Sequence, residues 1–155
     1  AQNSFYVDDP ALSMPLIEYI AGTGALIAFH IGTDAYEATH PFRLAKIARA
    51  FPALHILAVH MGGVAHADLS NAMIECAQEC PNITLIGSAV RTHAILKAIR
   101  TLGAARVCFG SDTPFEPMHV ELARYRALLD DVAPETDRAL VLGGTIMRLL
   151  NRVPR

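Results

Sequence analysis

The sequence carries little charge for a soluble domain. Only 18% of its 155 residues are Asp, Glu, Lys or Arg, against about 25% in typical soluble domains. The 13 Lys and Arg nearly balance the 15 Asp and Glu, so a net charge of −2 offers no attraction for nucleic acid or an anionic membrane surface. Because so few charges cannot cover a normal surface, we expect part of this surface to be covered by something other than water. The length predicts a single domain over residues 1–155.

Long apolar runs and disulfide patterns are also missing. The uncharged stretch 19–33 is interrupted by three glycines and a histidine, and no segment reaches the roughly 18 apolar residues that span a bilayer. Residues 1–10 do not place a basic region before an apolar one, and we expect no signal peptide. The three cysteines form no C-x-x-C motif, and Cys76 and Cys80 are one helical turn apart, too far for a disulfide. We therefore expect reduced thiols in a cytoplasmic protein.

Several catalytic motifs are absent as well. The sequence contains no G-x-S-x-G, no phosphate-binding P-loop and no Cys–His nucleophile signature. These absences exclude the serine-hydrolase elbow and the P-loop nucleotide hydrolases.

The sequence alternates between strand and helix patterns. Short continuous runs of Ile, Val, Leu and Phe predict strands at 25–29, 55–59, 82–86 and 106–109, and their continuity indicates burial on both faces. Apolar residues at helical spacing predict helices at 8–22, 41–51, 68–80, 92–102, 117–129, 135–142 and 145–150. Strict alternation predicts an α/β fold with a parallel sheet. An open doubly wound sheet would be nearly complete with four strands, whereas a (β/α)8 barrel of about 250 residues would be half complete.

Three of the predicted strands are followed by side chains that bind metals or transfer protons. His30 ends the first strand, His60 follows the second and Asp112 follows the fourth. Parallel strands bring their carboxyl ends to one face of the sheet, where barrel enzymes hold their active sites. Taken singly, each histidine could be a hydrogen-bonded structural residue, and Asp112 could form a turn or a helix cap. Their shared position favours a site.

Two further residues belong to the same predicted face. Arg91, just after the third strand, could hold a substrate carboxylate or be a solvated loop residue. Ser88, at the end of the third strand, could line the site or pack beneath it.

The motifs that contain these residues resemble the amidohydrolase-related enzymes, in the branch of metal-dependent hydrolases and decarboxylases. The resemblance extends from about residue 7 to 150 and includes F-H-I-G, P-N-I-T-L-I and V-L-G-G-T-I-M-R-L-L. Its most specific parts are H-M-G-G and R-V-C-F-G-S-D-T-P-F. It implies that the chain forms the C-terminal half of a TIM (β/α)8 barrel, with strands five to eight.

The resemblance also implies roles for the three side chains. His30 would be a metal ligand, and Asp112 would bind the metal and take part in proton transfer. His60 would be a second ligand or the histidine that orients and deprotonates the attacking water. The cofactor would be a divalent metal, usually Zn²⁺ in this family. The family's first strand carries an H-x-H pair of further ligands, and no H-x-H occurs in this sequence. We therefore expect the chain to be part of a longer enzyme.

The expected function is hydrolysis of a small C–O or C–N bond by metal-activated water. The alternative is non-oxidative decarboxylation, or hydration, of a small aromatic or dicarboxylic acid. A non-catalytic half-barrel that acts as an assembly module is an alternative from another class, and an open flavodoxin-like sheet ranks last. The expected partners are a small-molecule substrate and either a second copy of the chain or the missing N-terminal half of the barrel, with neither nucleic acid nor membrane.

Overall fold

The fold was determined as a computed structural model, and the structure describes residues 5–32, 35–64, 66–130 and 132–153. Four strands alternate with helices along the chain. The strands are β1 (Leu26–His30), β2 (His55–Val59), β3 (Ile83–Ile86) and β4 (Val107–Cys108). The helices are α1 (Met14–Thr23), α2 (Pro41–Ala50), α3 (Ala67–Glu79), α4 (Thr92–Leu102), α5 (Met118–Asp130), α6 (Glu135–Ala139) and α7 (Thr145–Leu150). No helix within these described ranges is both long and apolar enough to cross a bilayer.

The four strands form one parallel sheet in the order β1-β2-β3-β4. The prediction of a parallel α/β fold is therefore confirmed. An open doubly wound sheet requires a point at which the strand order reverses, and this sheet has none. Right-handed connections that always advance in the same direction place the helices on one face, as in a barrel. The flavodoxin-like alternative is wrong for this reason.

Only one face of the sheet belongs to the hydrophobic core. The register aligns Ile27 with Ile56 and Ile83, and these residues contribute to the core beneath the helices. Side chains alternate between the two faces of a strand, so Ala28 and His30 lie on the other face, and both are exposed. The predicted burial on both faces is wrong for β1, because nothing in the described chain covers its second face.

The predicted boundaries differ from the structure mainly at β4 and in the last third of the chain. Arg106 lies in a turn of 3-10 helix, Ala104–Arg106, and its guanidinium donates to the carbonyl of Ile83. The amide of Phe109 donates to the carbonyl of Val141 at 2.8 Å and not to a neighbouring strand, so β4 has only two residues. The helix predicted at 135–142 is instead α6 followed by a wider π-type turn over Leu140–Gly144. A strand pattern cannot reveal these contacts because their partners are distant in sequence.

Candidate functional site

The structure brings the three strand-end side chains together at the carboxyl end of the sheet. His30 is the last residue of β1, and His60 directly follows β2. Their ring centroids are 4.6 Å apart, with one ring edge-on to the other. The Nε2 atom of His60 lies 3.8 Å from the Oδ1 atom of Asp112, which follows β4. His60 is buried, whereas His30 and the carboxylate of Asp112 are accessible to solvent.

The backbone at this end of the sheet adopts conformations that L-amino acids seldom occupy. His60, Met61, Ala89 and Asp112 have φ of 59°, 47°, 52° and 64°. Each of these residues follows the end of β2, β3 or β4, and each such conformation costs on the order of 1–3 kcal/mol. Strain of this kind collects at functional sites when the surrounding fold holds it in place. Two of the three proposed site residues are among the four.

Two glycines allow the loops after β1 and β2 to approach each other. A Cβ at Gly32 would lie 1.5 Å from the carbonyl oxygen of Gly62, and φ at Gly32 is +69°. Only glycine fits such a position. The glycines of F-H-I-G and H-M-G-G therefore draw His30 and His60 together.

Ser88 supports the ring of His60 from the neighbouring loop. The Nδ1 atom of His60 lies 3.0 Å from the carbonyl oxygen of Ser88 and 3.0 Å from its hydroxyl oxygen. Both residues are buried. The sequence placed Ser88 at the end of its strand and left its role open, and the structure puts it in direct contact with His60.

Helix α5 holds the loop that carries Ser88, and this support was not predicted from the sequence. The hydroxyl of Tyr125 donates to the carbonyl of Gly87, and the guanidinium of Arg124 lies 3.4 Å from the carbonyl of Val90. Tyr125 is fully buried, and burial raises the pKa of its hydroxyl far above the ordinary value. The hydroxyl therefore keeps its proton at physiological pH and remains a hydrogen-bond donor. The only signal in the sequence is a tyrosine one helical turn before Leu129 on the buried side of α5.

Arg91 lies at the surface where α4 begins. It is exposed and directly precedes the first helical residue, Thr92. It belongs to the loop that also carries Ser88, on the side of the sheet where the histidines lie. Its role as a substrate ligand stays a prediction.

The donor atoms fit a divalent metal ion in kind but not in number. Imidazole nitrogen and carboxylate oxygen bind Zn²⁺ at about 2.0–2.2 Å, so the His60 and Asp112 donors, 3.8 Å apart, could share one ion. Among the residues that the structure describes, no group of three or more His, Cys, Asp or Glu side chains is arranged to hold a metal. The assignment of His30, His60 and Asp112 as metal ligands therefore stays a prediction.

The fold is similar to that of several solved structures. An uncharacterized TIM-barrel protein from Bordetella bronchiseptica has 23% identity and a TM-score of 0.83, with 97% of this chain and 54% of that chain covered. An amidohydrolase from Burkholderia multivorans with bound zinc has 16% identity and a TM-score of 0.74, with 96% and 59% covered. A dihydroxybenzoic acid decarboxylase from a Polaromonas species, with bound manganese and an inhibitor, has 19% identity and a TM-score of 0.68, with 99% and 58% covered. No curated protein matches the chain.

These comparisons define the architecture. The chain spans a little over half the length of the solved structures that it matches. Its four parallel βα units therefore form a partial TIM barrel, which confirms the fold predicted from the sequence.

The family follows from a match over nearly the whole chain. The family model described as amidohydrolase matches residues 1–152, and the motifs after β1, β2 and β4 supply the residues gathered at the site. The chain belongs to the amidohydrolase family.

Proposed function

We propose that the protein containing this chain is a metal-dependent hydrolase that cleaves a small C–O or C–N bond with activated water. The observation that carries the proposal is the meeting of His30, His60 and Asp112 at one end of the sheet, with His60 Nε2 3.8 Å from Asp112 Oδ1. An imidazole and a carboxylate at this distance offer both metal-binding and proton-transferring atoms to one small molecule.

His30, His60 and Asp112 are the residues that would hold the metal. The ion, when bound, would supply Lewis acidity and lower the pKa of water at the site from 15.7 toward about 7. Zn²⁺ suits this nitrogen and oxygen donor set, and the Burkholderia amidohydrolase contains zinc. Since the described residues offer no complete ligand set, we propose that the remaining ligands come from outside this chain, from the other half of the barrel.

Asp112 would transfer the protons, and His60 would orient the attacking water. The carboxylate of Asp112 is 27% exposed and can accept a proton from water as the water oxygen bonds to the substrate carbon. The same carboxyl group can then release that proton to the departing oxygen or nitrogen. The ring of His60 is 5% exposed, so it is positioned to orient the attacking water rather than to exchange protons with bulk solvent.

Decarboxylation of a small aromatic acid is the second candidate. The similarity of fold to a dihydroxybenzoic acid decarboxylase favours it, as does the position of Arg91 on the loop after β3, where a guanidinium could hold a carboxylate. In this reaction the bond between the ring carbon and the carboxylate breaks, CO₂ leaves and a proton from the site replaces it on the ring carbon. Hydration of a related acid would use the same residues.

A non-catalytic role as an assembly module is the third candidate. It would leave His30 and Asp112 without a metal and the chain without turnover.

We also propose a cytoplasmic location, because Cys76, Cys80 and Cys108 are buried and form no disulfide, as in proteins of reducing compartments.

Metal analysis and product analysis of the full protein test the proposal. We expect one or more equivalents of divalent metal in the wild type, and loss of metal and activity in His30→Ala and Asp112→Ala. His60→Ala should lose rate more than metal. His93→Ala is the matched control, because His93 is exposed on α4. The substrate panel should contain small esters, lactones and amides beside hydroxylated aromatic acids, with detection of released acid and of CO₂.

The outcomes separate the candidates. Release of acid from esters, lactones or amides supports the hydrolase, and release of CO₂ supports the decarboxylase. A protein that binds no metal and turns over neither class would overturn both and leave the assembly module.

A further inference from the structure

The two contacts of His60 with Ser88 indicate which ring nitrogen of His60 carries the proton. The carbonyl oxygen of Ser88, 3.0 Å from Nδ1, can only accept a hydrogen bond. The hydroxyl, also at 3.0 Å, can donate or accept. The carbonyl therefore determines the position of the proton, because its contact with Nδ1 is favourable only when Nδ1 carries the proton.

The other ring nitrogen is then left with a lone pair. A neutral imidazole has one N–H, so with Nδ1 protonated, Nε2 is an acceptor. Nε2 lies 3.8 Å from Oδ1 of Asp112, and an ionised carboxylate is also an acceptor. Two acceptors this close favour a cation or a hydrogen-bond donor between them, which is what a metal-binding or water-orienting histidine requires.

A competing arrangement would make Ser88 a nucleophile. Its hydroxyl would donate to Nδ1, and Nε2 would donate to Asp112 in a Ser–His–Asp relay. In that arrangement the Nδ1 atom and the carbonyl oxygen of Ser88 would both be acceptors, although they lie 3.0 Å apart. The Nε2 to Oδ1 distance of 3.8 Å is also too long for a hydrogen bond. The geometry disfavours the relay on both counts.

The carbonyl of Ser88 is held in place by the surrounding fold. The hydroxyl of Tyr125 donates to the carbonyl of the preceding residue, Gly87. A Cβ at Gly87 would lie 2.0 Å from that hydroxyl oxygen, so the contact depends on glycine. The following residue, Ala89, has φ of 52°, a conformation that persists only where packing imposes it.

We propose that the loop after β3 sets the tautomer of His60, with the proton on Nδ1 and the lone pair of Nε2 directed toward Asp112. Ser88, through its backbone carbonyl, and Tyr125, through Gly87, are positioning residues. This inference rests on the proposed function, for which Nε2 must be available.

Nitrogen NMR of the full chain, labelled with ¹⁵N-histidine and free of metal, tests the assignment directly. A His60→Gln sample identifies the signals of His60. We expect a protonated Nδ1 and an unprotonated Nε2 in the wild type and in Ser88→Ala, which keeps the carbonyl. A protonated Nε2 in the wild type would overturn the proposal in favour of the Ser–His–Asp relay. A change of tautomer in Ser88→Ala would overturn it by showing that the Ser88 hydroxyl, and not the carbonyl, sets the tautomer.

Two controls complete the experiment. Ser70→Ala removes another buried serine hydroxyl, one that donates to the carbonyl of Gly63 and not to a histidine, and it should leave the His60 signals in place. Tyr125→Phe should populate both tautomers, and Tyr19→Phe, at an exposed tyrosine, should not. A single unchanged tautomer in folded Tyr125→Phe would contradict the role of Tyr125. If Tyr125→Phe does not fold, the wild-type and Ser88→Ala spectra still decide.

The same spectra keep the two hypotheses apart. They are recorded without metal, so a protein that fails to bind metal would overturn the proposed function while leaving the tautomer assignment intact. A protonated Nε2 in a protein that binds metal would overturn only the tautomer assignment.

Discussion

Gly32 and Gly22 show how differently two glycines of one chain contribute to its structure. Gly32 has φ of +69°, and a Cβ there would meet the carbonyl oxygen of Gly62 at 1.5 Å. Gly22 lies in α1, and a Cβ there would have nothing within 4 Å. The first glycine is required by the approach of two loops, whereas the second only adds conformational freedom to the unfolded chain.

Gly32→Ala should lower the free energy of unfolding by about 3 kcal/mol or more, because it combines overpacking with a disfavoured φ. Gly22→Ala should raise it by roughly 0.5–1 kcal/mol. Urea unfolding of both variants measures the difference. Equal effects of the two substitutions would contradict the close approach of the loops.

The ionisation of Asp8 should make the free energy of unfolding depend on pH. Burial alone would raise the pKa of this carboxyl, but hydrogen bonds from Lys46 and Arg43 outweigh it and hold the pKa below 3.8. Both contacts are 2.9 Å long. Because the pKa is lower in the folded state, the carboxylate stabilises the fold above pH about 4, and this contribution is lost as the pH falls through the folded pKa.

Asp8→Asn should therefore cost about 1–2 kcal/mol at neutral pH, and the difference from wild type should disappear as the pH falls through the lowered folded pKa. Urea unfolding at a series of pH values measures it. Glu18→Gln, at an exposed position of α1, is the control and should show no such pH-dependent difference. A deficit in Asp8→Asn that persists at low pH would mean that the carboxylate charge is not its cause.

At the scale of elements, Asn82 joins α2 to the start of β3. Its side-chain amide donates to the carbonyls of Ala48, Phe51 and Leu54 at 3.0–3.1 Å. The carbonyls at the end of a helix lack partners within it, and this amide supplies them. The contacts lie at the amino end of β3, opposite the candidate site.

Asn82→Ala should lower the free energy of unfolding by about 2–3 kcal/mol, because it leaves three partly buried carbonyls without this donor. Asn71→Ala is the control: its amide oxygen only accepts an exposed hydrogen bond from Lys97, and we expect a change within about 0.5 kcal/mol. Thermal or urea unfolding compares the two. Since Asn82 is far from the site, any metal binding should be unaffected in folded Asn82→Ala protein.

The order and type of the elements could be predicted from sequence, but some of their ends could not. The run 55–59 matches β2 residue for residue, because its apolar residues are consecutive and its partners are apolar strands on both sides. The run 106–109 was predicted too long, because the amide of Phe109 bonds to Val141. Local propensity describes a strand's interior, whereas distant partners decide where it ends.

At the scale of the whole molecule, a large apolar surface remains uncovered. Leu12 lies two residues before α1, and Leu16 and Tyr19 lie within it; these side chains are 62%, 60% and 73% exposed. β1, beside them in sequence, has an exposed face at Ala28. Exposed apolar patches of this kind promote association in water, and the low charge fraction noted above provides little repulsion against it.

We therefore expect the chain in isolation to bind a hydrophobic dye and to scatter light as its concentration rises. Leu16→Lys combined with Tyr19→Lys should reduce both signals. Val132→Lys, at an exposed residue remote from this stripe in sequence, should reduce them less. Identical signals from all three proteins would show that the α1 stripe does not cause the association.

The parallel βα alternation, the family and the strand-end positions of His30, His60 and Asp112 could be predicted from the sequence, because apolar runs and strand-end motifs are local features. The contact of the His60 ring with Ser88 and the support of the adjoining loop by Tyr125 are seen only in the folded structure. These features arise from contacts between residues 28 to 38 positions apart, which no local pattern encodes. The sequence shows that an H-x-H pair is absent, and the folded structure adds that, within its described residues, no group of three or more His, Cys, Asp or Glu side chains is arranged to hold a metal ion.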